Sequence, residues 1–237
     1  MTARRLGTPR LHLRATGSTN DRARELAAAG APHGTLVTAA EQSAGRGRQG
    51  RRWSAPAGSA LLASIVQREP PELLPLVAAV AVAEVVAAAL AEQAGDAVAI
   101  KWPNDVLLDG RKVAGILAEG RPQERWAVLG IGVNVAVDLA DLPEELLATA
   151  ATMGRAERDV EPVLASLLAA LERRLEDPPA AVLAAWEARD ALRGREVAWT
   201  GGHGVAAGID GAGRLVVELS DGGRTALDAG EVHLRTG

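Results

Sequence analysis

Apolar and polar residues alternate over 10–15 (Arg-Leu-His-Leu-Arg-Ala), the period of a strand with one buried face. Ser18 or Thr19 is a good N-cap for a helix running to about Ala29, where Gly30 stops it. Gly34–Glu41 reads as a strand, and Ser59–Gln67 (Ser-Ala-Leu-Leu-Ala-Ser-Ile-Val-Gln) as a buried one. Residues 71–94 form a long helix. Its apolar part, Leu73–Ala91, is rich in Ala and interrupted by Pro75 and Glu84, which fits a buried helix better than a membrane span. Ala97–Trp102 is a strand that Pro103 breaks. Asp109-Gly110 is a hairpin turn joining Val106–Leu108 to Arg111–Glu119, and Arg125–Val135 is a further strand, so 97–135 is expected to be an antiparallel meander. Pro143 and Glu144-Glu145 open a loop or short helix. Residues 159–176 and 179–191 carry helical periodicity on either side of Asp177-Pro178-Pro179.

The pattern changes after Arg193. Short β runs (Val197–Thr200, Gly204–Ile209, Arg214–Leu219, Arg224–Asp228) alternate with Gly/Asp turns, which predicts a small closed β-barrel. The expected organisation is therefore a larger domain, 1–192, followed by a small β domain, 193–237.

Composition sharpens this in three ways. The 237 residues are 48% apolar with five Trp but neither Phe nor Tyr, so the core must be built from Leu, Val, Ile and Ala. The absence of cysteine excludes disulfides, thiolate catalysis and cysteine-ligated zinc, and His12, His33, His203 and His233 lack metal-ligand spacing, so no protein-held metal is expected. A net charge of −4 and a pI near 5.7 argue against a dedicated nucleic-acid binder. The start, Met1-Thr-Ala-Arg-Arg-Leu, has no apolar signal-peptide core, so the expected location is the cytoplasm.

Against that acidic background one stretch stands out. Gly45–Trp53 reads Gly-Arg-Gly-Arg-Gln-Gly-Arg-Arg-Trp, and no Asp or Glu occurs from Gln42 to Arg68. Glycine at this density disfavours helix and strand, so the stretch reads as a mobile, positive loop between two strands, suited to closing over an anion. Arginine supplies a rigid fork of donors matched to carboxylate or phosphate. Lys101-Trp-Pro-Asn-Asp105 ends a strand with a lysine, an amide and a carboxylate, and the hairpin returns Lys112 toward Asp105. Gly130-Ile-Gly-Val-Asn134 places two glycines on one face of a strand, leaving room for a flat ligand or a close backbone approach. Taken singly these are ordinary features: caps, an exposed lysine, a bulge. None is a dinucleotide fingerprint, because no third glycine follows and no helix starts there; the Gly/Arg loop lacks the Gly-Lys-Ser/Thr of a Walker A loop.

Taken together, 45–53, Lys-Trp-Pro-Asn-Asp (101–105), Arg-Lys-Val-Ala-Gly-Ile-Leu (111–117) and Gly-Ile-Gly-Val-Asn (130–134) resemble the signature set of biotin–protein ligases, in that family's order and spacing. The Ser18-Thr19-Asn20 turn and the C-terminal Gly230-Glu-Val-His-Leu-Arg235 fit it too, so the resemblance spans almost the whole chain from about residue 11. It implies an α/β (α+β) catalytic domain with a mixed sheet flanked by helices, like class II aminoacyl-tRNA synthetases, followed by an SH3-like barrel. It implies that biotin's carboxylate attacks the α-phosphate of ATP, with Mg2+, and that a lysine of a biotin carboxyl carrier domain of acetyl-CoA carboxylase or a related carboxylase then takes the biotinyl group.

By the same resemblance, Ser18, Thr19, Asn20 and Gln42 bind biotin's ureido ring. Arg46, Gly47, Arg48, Lys112 and Gly115 complete its site. Arg48, Arg51, Trp53, Lys101, Asn104, Asn134 and Arg235 surround the nucleotide. Lys112 and Arg48 are the expected catalytic cations, and Asp105 is the candidate base for the acceptor lysine, whose free pKa of about 10.4 leaves it protonated at neutral pH. Val137–Leu147 stands where a second, adenine-covering segment would lie, with Leu139, Leu142 and Leu146 as its apolar cover. Gln49 departs from the arginine many members carry, which is expected to speed release of the adenylate. Only some seventeen residues precede Ser18, too few for the helix-turn-helix some members carry, so no DNA binding and no membrane association are expected, and a monomer or weak homodimer is. The nearest alternative is a lipoate or octanoate ligase, which lacks the Gly/Arg stretch with Trp53; a nucleic-acid-binding module is the more distant one.

Overall fold

The strand and helix signals resolve, in a computed structural model that describes residues 5–91, 98–228 and 232–234, into two sheets and five helices. The first half runs β1 (Arg10–Leu13), α1 (Thr19–Ala28), β2 (Leu36–Ala39), β3 (Ala60–Arg68), α2 (Leu74–Ala89), β4 (Val98–Lys101), β5 (Asp105–Leu108), β6 (Arg111–Arg121) and β7 (Trp126–Asn134). There follow α3 (Glu144–Leu147), α4 (Val160–Leu175), α5 (Pro179–Glu187), β8 (Glu196–Trp199), β9 (Gly202–Ile209), β10 (Leu215–Glu218), β11 (Arg224–Leu227) and β12 (His233–Leu234).

The larger sheet has seven strands in the order β1-β2-β3-β7-β6-β5-β4. Only β1 and β2 are parallel, so the sheet is mixed, and β4 to β7 are the expected antiparallel meander. Its central strands are buried on both faces, which is why Ser59–Gln67 reads as a continuous apolar run rather than an alternation. Leu61, Ala63 and Ile65 of β3 and Leu129, Ile131 and Val133 of β7 enter the main core, while Leu62 and Ala60 point the other way into a smaller cluster. α2 lies between the sheet and α4 and α5. Its residues Leu74 and Leu76–Ala83 are buried, as expected of a helix apolar all round. The helix ends at Ala89, short of the expected 94; residues 92–97 lie outside the described residues. No helix among the described residues is long and apolar enough to cross a membrane.

The C-terminal strands form a five-stranded antiparallel sheet, β11-β10-β9-β8-β12. Among the described residues β11 and β12 do not pair, so the expected closed barrel is seen here as an open series of strands. The segment leading into this unit lines the edge of β4, and the side chain just beyond β4 reaches the unit itself. The residues after α5, expected to continue the helix to 191, instead run alongside β4: the Ile100 amide donates to the Arg189 carbonyl at 2.7 Å and the Ala191 amide to Ile100 at 3.0 Å. Trp102, buried, donates from Nε1 to the Gly213 carbonyl at 3.0 Å. Gly213 has φ +76°, and a Cβ there would stand 2.6 Å from Leu76, so this turn seats against the start of α2 only as glycine.

Candidate active site

Strand register assembles the site. Lys101 pairs with Asp105, Asp105 with Gly115, Gly115 with Gly132 and Gly132 with Leu62, a row crossing five strands on the face opposite α2. The neighbouring row is Leu117, Gly130 and Ser64. Lys112 and Gly115 are three apart, which would put them on opposite faces of a regular strand. The register shift between Val106 and Leu107 leaves Val113 as an extra residue, buried in the core, and brings Lys112 onto the site face. There its Nζ lies 2.7 Å from Asp105 Oδ1. The two residues that the hairpin was expected to bring together do form an ion pair.

The space above the glycines is occupied. A Cβ on Gly132 would stand 2.6 Å from Trp53 Cε2, and one on Gly115 3.1 Å from Trp53 Cζ3, so the indole lies across the paired glycines. Lys112 Nζ is 5.7 Å from the ring centroid. A Cβ on Gly130 would meet Asn20 Oδ1 at 2.1 Å. The glycine face was expected to leave room for a flat ligand or a close backbone approach; a tryptophan and an asparagine of this chain lie over it.

The Gly/Arg stretch, expected to lack regular structure, is a narrow hairpin. Arg46 bridges Arg52, the Gly47 amide donates to Arg51 O at 2.7 Å, and the Trp53 amide donates to Gly45 O at 3.0 Å. Gly45 is required by that closeness, since a Cβ would stand 2.4 Å from Trp53 O. The turn itself, Arg48–Gly50, is a short 3-10 segment in which Gln49 adopts φ 54°. Its basic residues divide. Arg48, half-buried, borders a small cavity with Arg51, Lys101, Asn104, Asp105 and, from the C-terminal unit, Val232. Burial pushes the Arg48 guanidinium below its ordinary pKa, Asp105 pulls it back up, and Arg51 pushes it down again. An anion there would relieve that cost of burial. Arg46 turns away and pairs with Asp21 and, at 2.8 Å, with Glu119.

Ser18, Thr19 and Asn20 are all buried at the start of α1. Ser18 occupies the N-cap position but its side chain makes no capping bond. Gln42 does that work from across the site: its Oε1 accepts from the Thr19 amide at 2.7 Å and from Thr19 Oγ1 at 3.0 Å. Asn104 donates from Nδ2 to Ile116 O at 2.8 Å, bracing β6. Asn134, buried at the end of β7, donates to Ala151 O at 2.8 Å, while its Oδ1 is buried with no hydrogen-bond partner. The Val137–Leu147 segment packs beside Trp53: Val137 and Leu142 are buried with Ala60 and Leu62, and Leu139 and Leu146 lie against them. Arg235 falls outside the described residues. Ser64 and Glu119 also belong to this face and escaped the sequence reading. A serine inside an apolar strand, and a glutamate at even spacing from Gly115, were the available signals.

A mixed sheet whose glycine row lies under an arginine hairpin, with a lysine–carboxylate pair at one end and small polar groups at the other, defines a class of acyl-activating ligase. Residues 13–136 match the biotin/lipoate A/B protein ligase family, and residues 193–235 match the biotin protein ligase C-terminal domain. The chain belongs to this ligase family. It is 38% identical to the biotin–[acetyl-CoA-carboxylase] ligase of Mycobacterium tuberculosis, over 93% of this chain and 87% of that one. It is 36% identical to the ligase of the same name from Paracoccus denitrificans, over 92% and 97%. The fold is similar to a biotin protein ligase from Aquifex aeolicus solved with biotin and ATP, at a TM-score of 0.81, 28% identity, and 97% and 100% coverage.

Proposed function

We propose that the protein activates biotin as biotinyl-5'-adenylate at the expense of ATP and transfers it to a lysine of a biotin carboxyl carrier domain, that of acetyl-CoA carboxylase or a related enzyme. The observation that carries this reading is the Lys112–Asp105 pair beside half-buried Arg48 at the end of the glycine row, with buried Thr19 and Asn20 and half-buried Gln42 at its other end. A molecule with a polar head, an aliphatic tail and a terminal carboxylate fits that polarity.

In the first step a biotin carboxylate oxygen bonds to the α-phosphorus of ATP and the bond to pyrophosphate breaks. Lys112 and Arg48 hold positive charge where the two anions meet and where charge develops. The hairpin and the Val137–Leu147 segment exclude water from the mixed anhydride. The unpartnered Asn134 Oδ1 accepts from an amino group of the adenine. Arg51, Trp53, Lys101, Asn104 and Arg235 complete the nucleotide surroundings. In the second step the acceptor ε-amine bonds to the acyl carbon, AMP leaves, and Asp105 takes the amine's proton. Mg2+ enters with ATP as part of that substrate.

The proposed division is a catalytic part, 1–192, and a C-terminal part, 193–237, acting as a monomer or weak homodimer in the cytoplasm. DNA stays outside the proposed partner set because the chain is acidic overall, at −4. The test is pyrophosphate–ATP exchange with magnesium and either biotin or octanoate. Exchange dependent on biotin is the expected result. Exchange with octanoate alone moves the chain to the lipoate side of its family, and no exchange from folded protein overturns acyl activation.

A further inference from the structure

One chain of polar contacts runs under the site and joins elements far apart in sequence. Arg46 of the hairpin donates to Glu119 Oε1 at 2.8 Å. Glu119 Oε2, near the end of β6, accepts from Asn20 Nδ2 at 2.9 Å. Asn20 Oδ1 faces Ser64 Oγ of β3 at 2.6 Å, and Ser64 Oγ is 2.8 Å from Thr19 Oγ1. The Thr19 backbone amide donates to Gln42 Oε1 at 2.7 Å, three residues before the hairpin begins, so the chain closes into a ring.

Glu119 is the one carboxylate in that ring, and its charge state dictates the rest. An ionised carboxylate only accepts, so Asn20 must turn Nδ2 toward it and Oδ1 toward Ser64. The same carboxylate is the hairpin's anchor on the sheet, and its pairing with Arg46 is charge-assisted. Asn20 also packs on Gly130, where a Cβ would stand 2.1 Å from its Oδ1 and 2.9 Å from its Nδ2, so the amide as a whole fills the space that the glycine leaves. From these contacts we infer that Glu119 is a positioning residue: it sets the amide orientation of Asn20 and ties closure of the arginine hairpin to the wall of small polar groups that receives the biotin head. It touches no reacting atom.

This inference rests on the proposed ligase reading. Its test is the isosteric Glu119→Gln, which removes the charge and offers Arg46 a second set of donors. The readouts are biotin KM, ATP KM and kcat in pyrophosphate–ATP exchange, with a thermal melt as control and Glu119→Ala as a second variant. The expected result is a rise of about tenfold in biotin KM for Glu119→Gln and a larger one for Glu119→Ala, with ATP KM and the melting temperature unchanged. A biotin KM equal to wild type in both variants overturns the inference, as does an equal rise in both KM values, which would mean a general loosening. Absence of biotin-dependent exchange in the wild type removes the ligase reading itself and this inference with it, and so is told apart from failure of the positioning role alone.

Discussion

The two faces of the larger sheet are written by the same strands. On β3 and β7 the odd-numbered residues, Leu61, Ala63, Ile65, Leu129, Ile131 and Val133, enter the core beneath α2. The even-numbered ones, Leu62, Ser64, Gly130, Gly132 and Asn134, form the floor of the candidate site or its wall. One face is filled by branched side chains in mutual contact. The other is cleared by glycine and then refilled by groups from elsewhere, Trp53 and Asn20. A period of two therefore divides stability from chemistry residue by residue, and a substitution should disturb one property and spare the other according to the parity of its position.

The sharpest break in that comparison comes at its charged end. Lys112→Ala should slow adenylate formation by about a thousandfold, the scale of removing a preorganised donor from a developing anion. Its side chain is 35% exposed and surface pairs contribute little, so the melting temperature should stay close to wild type. Single-turnover formation of biotinyl-adenylate and a thermal melt measure the two effects, and a wild-type rate would remove Lys112 from the mechanism. The converse lies one residue from the glycine floor. Leu129, fully buried on the helix face, becomes a cavity on truncation. Leu129→Ala should cost about 3 kcal/mol of unfolding free energy while leaving biotin KM unchanged in the folded fraction. A denaturant titration read beside steady-state kinetics checks it. If biotin KM rises with the loss of stability, the two faces are not independent.

Much of this division is legible in the amino-acid sequence. The meander over 97–135 follows from Asp109-Gly110 and from the apolar runs on either side, because a two-residue turn leaves one antiparallel pairing open. The meeting of Asp105 and Lys112 follows from the same turn. What could not be read is the bulge at Val113, since three-residue spacing says nothing of which strand carries an extra residue. Nor could Gly132 be read as a seat for Trp53: the two are far apart in sequence and only the register of three strands makes them meet. Gln42 capping α1 in place of Ser18 is missed for the same reason, because cap signals are local and this cap is not. Arg46 and Arg48 look alike in the sequence, and only the hairpin sends one toward Glu119 and the other toward Asp105.

The subtlest break is a single methyl group on the chemical face. Gly132 lies inside a strand, where alanine is conformationally acceptable and glycine carries an entropic cost of about 0.5–1 kcal/mol. On backbone grounds alone Gly132→Ala should therefore be neutral or mildly stabilising. Its Cβ, however, would stand 2.6 Å from Trp53 Cε2 and 2.8 Å from Cζ2, closer than carbon atoms approach, so the indole must lift. Lifting it moves the hairpin that carries Arg48 and opens the surface under Lys112. The expected outcome is a fall of about tenfold in adenylate formation, roughly 1.4 kcal/mol in barrier, with the melting temperature changed by only a few degrees. Alanine at a position where the indole merely packs would give the opposite signature, a lowered melting temperature with the rate intact. Because glycine and alanine differ by so little, this pair of measurements distinguishes a floor shaped for chemistry from one shaped for packing.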